Sequence, residues 1–335
     1  MSLDICKPSN VTISAIPIKD LYNHLYWDHR IYDLRSKEDY IKSHICRAHN
    51  MNPSPVITVD AIADIDAQIN SEYGRAEQSS EVFIYTDAET HYENYQLQLR
   101  ILNILLSYLT STRNHSNKSL KQIYTFIDGY ENFHSTFPFL CSDSAYFHEC
   151  SLLVWPSYVR PNLYLGSAMC RNETVIAMLN ITHIMSFSEY NENEIKSTNI
   201  TTLHWQLSDS LSTNLLSVFP SAITWISKAI NDENGTVLVH CDQGVSRSAS
   251  VVIAYLLHSN TNLCTVEAAF NHLKLKRSFG RQCNSLEKIT LSRKRSVSTL
   301  STISEVIQTI DVNDPPTQRS IVKSYHMRQS TSQEL

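Results

Sequence analysis

The chain has no apolar run of about 18 residues, the length that commonly spans a bilayer, so no membrane segment is expected in its 335 residues. Its opening, Met1-Ser2-Leu3-Asp4-Ile5-Cys6-Lys7, lacks the basic-then-apolar order of a secretory signal. Positive charge is not in excess: 28 Lys and Arg stand against 33 Asp and Glu, a formal charge of -5. Without a basic patch a nucleic-acid partner is not expected. The 8 cysteines are scattered, with neither close pairs nor metal-ligand spacing, which argues against a disulfide framework and against a zinc site. Reduced thiols of this kind suit the cytoplasm, with the nucleus as a second location, and no metal or cofactor is expected.

What is present is a chain long enough for two domains, with 42% hydrophobic and 18% charged residues. Val237-Leu238-Val239 running into His240-Cys241 reads as a buried strand, and the apolar run Ala249 to Leu257 reads as a buried helix. Asp242, Gln243, Gly244, Val245, Ser246 and Arg247 therefore form a loop at a helix N-terminus. Backbone N–H groups there have no partner within the helix, and the helix dipole adds partial positive charge, so a phosphate dianion fits. The same field, with Arg247 six residues after Cys241, favours a thiolate able to act as a nucleophile. Gly244 gives the backbone freedom that a tight loop round an oxyanion needs. Arg247 offers a planar fork of donors for two phosphate oxygens.

His240, Cys241, Arg247 and Ser248, in the order His-Cys-x5-Arg-Ser, resemble the signature loop of the cysteine-dependent protein tyrosine phosphatases, dual-specificity branch. The phrase Val159 to Ser167, with Leu163-Tyr164-Leu165-Gly166, resembles the opening strand of that family's domain, here residues 152 to 295. Asp209 precedes Cys241 by 32 residues, the spacing of the family's general-acid aspartate. The reaction needs such a group because an alkoxide or aryl oxide leaves poorly unless it is protonated as the P–O bond breaks. The alternative for Asp209 is a turn residue or a cap for a helix expected over Leu215 to Ile230. Ser248 is read as a hydrogen-bond donor that stabilises the thiolate when it leaves, and His240 as a residue that positions the loop. The resemblance implies a shallow pocket that admits phosphoserine, phosphothreonine and phosphotyrosine on phosphoprotein substrates.

The first half alternates strands and helices, which predicts a parallel sheet covered by helices. Val82 to Asp87 is expected as a central strand, and Leu97 to Leu109 as an apolar helix. Ile31 to Ile45 resembles the Asp-x-Arg…Glu-Tyr…His-Ile opening of rhodanese-like domains, and Asp128-Gly129-Tyr130-Glu131-Asn132-Phe133 resembles a turn of the same family. The resemblance covers residues 15 to 140. An active rhodanese has a cysteine in the loop after the strand that ends here at Thr86, whereas this chain has Asp87, Ala88, Glu89 and Thr90. The domain is therefore read as catalytically silent. Asp33, Arg35 and Glu38 are expected to form a structural ion-pair cluster.

The α/β fold class is thus a rhodanese-like parallel-sheet domain followed by a cysteine-phosphatase α/β domain. This layout resembles the MAP kinase phosphatases and the serine/threonine/tyrosine-interacting-like proteins. Between Met51 and Arg75 the chain has no lysine and a single arginine, with Asp60, Asp64 and Asp66 in the interval. The basic cluster that docks a MAP kinase is absent there, which draws the resemblance towards the interacting-like group. Members of that group are known as pseudophosphatases, so a phosphoprotein-binding adaptor without turnover stands beside the phosphatase reading. Leu140 to Ala145 reads as a linker. After Lys276 the order Arg277 to Leu286 departs from the family's last element. Beyond it, the basic Arg293-Lys294-Arg295 leads into residues 296 to 335, a Ser- and Thr-rich tail expected to be disordered.

Overall fold

The computed structural model describes residues 11–25, 30–72, 81–87, 92–110, 120, 122–126, 129–145, 153–189, 199–210, 213, 215–259, 263 and 265–276. The segment after Lys276, the basic cluster and the tail lie outside the described residues. Two compact units divide the chain, Met1–Leu153 and Val154–Leu335. Among the described residues, no helix is long and apolar enough to cross a membrane.

The first unit carries strands β1 (Thr12–Ala15), β2 (Arg30–Asp33), β3 (Ala48–Asn50), β4 (Glu81–Tyr85) and β5 (Gln122–Phe126) in the order β1-β5-β4-β2-β3. Every pair is parallel. The strand expected over Val82 to Asp87 is β4 at the sheet's centre, and Val82, Phe83, Ile84 and Tyr85 are all buried. Parallel strands need crossovers, and helices Val59–Glu72 and Tyr92–Thr110 provide two of them. They lay Ile62, Ile101, Leu105 and Leu109 on Tyr32, Val82, Ile84 and Ile123. The edge strand β1 was not legible in the sequence, because Thr12 to Ala15 leaves no residue fully buried and so carries no apolar pattern.

Asp33 and Arg35 pair as expected, fully inside the unit. Arg35 donates from Nε and Nη2 to the Asp33 carboxylate at 2.7 to 3.2 Å, and Nη2 also reaches the Ser43 carbonyl at 2.6 Å. Tyr85 adds a hydroxyl donor to Asp33 at 2.7 Å, and the Arg35 guanidinium lies 3.6 Å from the Tyr130 ring centre. Burial pushes the Asp33 carboxyl upward, and the Arg35 hydrogen bonds oppose that shift. Glu38 is not part of the pair: it is exposed on helix Lys37–Lys42, where Ser36 caps the Asp39 N–H instead. Removing Arg35 would leave a desolvated carboxylate. Arg35→Ala is expected to cost about 3–5 kcal/mol, read as a lowered urea midpoint for the first unit.

Leu140 to Ala145 is not a linker. Leu140 and Cys141 are buried, Cys141 bridges Ile45, and Cys46 N–H donates to the Leu140 carbonyl at 2.8 Å. The polar Ser142 and Asp143 suggested a spacer, but two apolar anchors beside them tie the segment to the unit. Asp66, counted among the acidic residues of its interval, is also internal, accepting from the Tyr32 and Tyr108 hydroxyls at 2.9 Å each.

The second unit carries β6 (Ser157–Arg160), β7 (Leu163–Ser167), β8 (His183–Ser188), β9 (Thr201–Gln206) and β10 (Val237–Cys241), in the order β6-β7-β10-β8-β9. The single opening strand expected over Val159 to Ser167 is a hairpin, β6 antiparallel to β7. Pro161 lacks an N–H and Asn162 turns back at φ 62, so the chain reverses between them. The remaining neighbours are parallel. All five residues of β10 are buried, as the run Val237-Leu238-Val239 into His240-Cys241 suggested. Its core partners come from helices Phe219–Ser227 and Arg247–His258. The first of these begins later than the expected Leu215, with Pro220 in its opening turn, and continues as the wider turns Lys228–Asp232.

Candidate active site

Strand β10 delivers Cys241 to the C-terminal edge of the parallel sheet, opposite Ser167 on one side and Phe187 on the other. Helix Arg247–His258 starts six residues later and takes Arg247 and Ser248 into its first turn. The loop between closes on itself through Gly244, which lies at φ +73. A Cβ there would stand 2.6 Å from the Gly166 carbonyl carbon, so only glycine lets the loop lie against the end of β7. The Ala168 N–H donates to the Asp242 carbonyl at 3.3 Å and fixes the loop's first residue. Gln243 is exposed, Val245 buried and Ser246 half-buried at the helix start.

Cys241 is 1% exposed, and its sulfur receives two donors: Gly244 N–H at 3.2 Å and Ser248 Oγ at 3.1 Å. With the helix N-terminus behind it, this arrangement stabilises negative charge on sulfur. Ser248 reaches the sulfur from the first turn of the helix. His240 is fully buried in β10 between Gly166 and Ser186. Strand alternation turns its ring to the sheet face opposite Cys241.

Arg247 holds the site together across the fold. Its side chain is 3% exposed; Nη1 donates to the Leu207 carbonyl at 2.6 Å and Nη2 to Asp242 Oδ2 at 2.6 Å. Its Nε stands 3.8 Å from Asp209 Oδ1. The residues after β9 are thereby brought to the loop after β10, and Asp209 comes beside the guanidinium despite its distance in sequence. Asp209 does not cap the following helix, whose N-cap is Val218. It sits in a turn closed by Thr213, which donates from Oγ1 to the Ser208 carbonyl at 2.8 Å and from N–H to the Ser210 carbonyl at 3.1 Å. The Asp209 N–H is held by Glu189 Oε1 at 2.9 Å, while its own carboxylate is 45% exposed. Trp205 stacks on Phe187 with 5.2 Å between ring centres and so packs β9 onto the strand beside Cys241.

Sequence reasoning missed Leu207, Glu189 and Gly166 as parts of this site. Leu207 contributes a backbone carbonyl, which no side-chain pattern reveals. Glu189 acts only through the tertiary approach of the β8 and β9 ends. Gly166 had a signal, the glycine closing Leu163-Tyr164-Leu165, but its role depends on contact with Gly244. Among the described residues, no group of three His, Cys, Asp or Glu side chains could hold a metal ion.

Comparison with known proteins gives the following. The family described as dual specificity phosphatase, catalytic domain, matches residues 163–292. Dual specificity protein phosphatase 1 of Arabidopsis thaliana is 33% identical over 141 residues, which is 40% of this chain and 69% of the relative. Dual specificity protein phosphatase 5 of Rattus norvegicus is 30% identical over 185 residues, 47% of this chain and 46% of the relative. The chain thus spans about half the length of this relative and of its Homo sapiens counterpart. The crystal structure of the human tyrosine phosphatase-like serine/threonine/tyrosine-interacting protein has 24% identity and a TM-score of 0.33, covering 41% of this chain and 97% of that one.

Proposed function

The chain belongs to the dual-specificity phosphatase family, and from that premise we propose that its second unit hydrolyses phosphate monoesters on protein side chains through a cysteinyl-phosphate at Cys241. The observation that carries this reading is the convergence on one loop of a sulfur with two donors, a buried guanidinium and a carboxylate 3.8 Å from it.

In the proposed reaction the backbone N–H groups of residues 242 to 247 and the Arg247 fork hold the phosphate. The Cys241 sulfur attacks phosphorus in line, and the bond to the leaving oxygen breaks as Asp209 passes a proton to it. Water then attacks the cysteinyl-phosphate, and Asp209 takes the water's proton. The sulfur leaves as a thiolate, stabilised by Ser248 Oγ and Gly244 N–H. Phosphoproteins are the proposed substrate class. The first unit is proposed to carry no sulfur-transfer chemistry: after Thr86 comes Asp87, whose N–H and carboxylate are both bound to Gln98 at 2.7 Å.

A general acid is felt most where the leaving group is poor. Asp209→Asn is expected to lower kcat on an alkyl phosphate or phosphoserine peptide by about 10²–10⁴-fold, and to do so much less on nitrophenyl phosphate. Steady-state phosphate release on the two substrates checks this. Equal losses on both would remove Asp209 from proton transfer. Failure of the wild-type protein to release phosphate from either would overturn the phosphatase reading in favour of a binding adaptor.

A further inference from the structure

The reaction above uses the backbone of Asp242 and leaves its side chain without a task. Amide groups would cradle phosphate whatever side chain followed Cys241, yet here a carboxylate stands there, and its Oδ2 accepts from Arg247 Nη2 at 2.6 Å. That nitrogen belongs to the fork a phosphate would engage. The far nitrogen, Nη1, is committed to the Leu207 carbonyl at 2.6 Å. Nη2 has a second hydrogen, but a carboxylate 2.6 Å from it repels an anion on the same nitrogen, so phosphate binding and the Asp242 contact oppose one another.

Asp242 is built to yield. Its side chain is 43% exposed while that of Arg247 is 3% exposed, so the carboxylate can rotate into water and the guanidinium stays. The hydrogen bond from Ala168 N–H holds the Asp242 carbonyl, which lets the side chain move without the loop. Once displaced, the carboxylate remains at the mouth of the cup as a negative charge, next to the partly exposed Asp209.

We infer that Asp242 is a specificity-determining residue: it occupies Arg247 in place of phosphate in the empty loop and, once displaced, favours phosphorylated residues flanked by Lys or Arg over those flanked by Asp or Glu. The inference rests on the phosphatase reading of the same site. A partly screened charge about 6 Å from a bound anion or a flanking side chain changes affinity by roughly 3- to 10-fold.

The test uses the full chain and its Asp242→Asn and Asp242→Glu variants. Asparagine can still accept from Arg247, so the first variant removes charge and keeps shape. In calorimetric titration with tungstate at low salt, Asp242→Asn is expected to bind about 3- to 10-fold tighter than wild type, with the gap narrowing near ~0.5 M salt. Asp242→Glu should stay near wild type. Equal or weaker tungstate binding by Asp242→Asn overturns the competition for Arg247. In a second arm, phosphopeptides sharing one core and flanked by arginine or by aspartate are compared by kcat/KM. Wild type should prefer the arginine-flanked peptide, and Asp242→Asn should cut that preference by about 3- to 10-fold; an unchanged preference overturns the selectivity. Tungstate binding needs no turnover, so it decides the role of Asp242 by itself. Absence of phosphate release from both peptides counts against hydrolysis at Cys241, not against the Asp242 contact.

Discussion

Cys241→Ser is expected to abolish phosphate release, with a loss of about 10⁴- to 10⁶-fold in kcat on a small aryl phosphate, the scale seen when a nucleophile is removed. The substitution changes one atom in a site that is already 1% exposed, so the fold has no reason to move. A serine Oγ can accept the same donors, Gly244 N–H and Ser248 Oγ. What it lacks is the nucleophilicity of sulfur, since a hydroxyl has no base in contact to take its proton. Binding is expected to survive because the amide cup and Arg247 are untouched, so the variant should retain phosphopeptides that wild type releases as products. Aryl phosphate turnover measured beside phosphopeptide capture checks both halves, and equal turnover by the two proteins would remove Cys241 from catalysis.

Arg247→Lys is expected to lower kcat/KM by about 10³-fold and to weaken folding of the second unit by about 1–3 kcal/mol. Both effects come from geometry. The guanidinium bridges the Leu207 carbonyl and Asp242 with two separate nitrogens, at 2.6 Å each, from a side chain that is 3% exposed. A lysine ammonium keeps the charge but cannot span those acceptors and also present a fork to phosphate. The Leu207 tie is what holds the Asp209 turn near the loop, so the variant should also blunt the difference between good and poor leaving groups. Kinetics on both substrate types with a urea midpoint measures all three, and a lysine variant with wild-type kcat/KM would show that a simple positive charge suffices.

Charge conservation at Arg247 thus predicts failure, and the reason explains how far the sequence could be read. Strand β10 was legible because it is buried along its whole length and opens on Val237-Leu238-Val239, and the loop after it was legible from the spacing of Cys241, Gly244 and Arg247 ahead of an apolar helix. The Asp33–Arg35 pair was legible for the same reason, since two charges so close in a buried strand end must satisfy one another. The hairpin at Pro161-Asn162 was not, because β6 has only Tyr158 and Val159 as apolar residues and the reversal depends on one positive φ. Leu140 and Cys141 were hidden among polar neighbours. The partners of Arg247 were illegible in principle, because one is a backbone carbonyl and the other an exposed aspartate whose contact exists only once the loop is folded.

The central claim is a covalent bond between the Cys241 sulfur and phosphorus during turnover, and it can be observed directly. Wild-type protein mixed with excess aryl phosphate and quenched in acid within the first turnovers, then digested and examined by mass spectrometry, should carry one phosphoryl group on the peptide containing Cys241. Phosphate release without that adduct, or with the phosphoryl group on any other residue, would contradict the account.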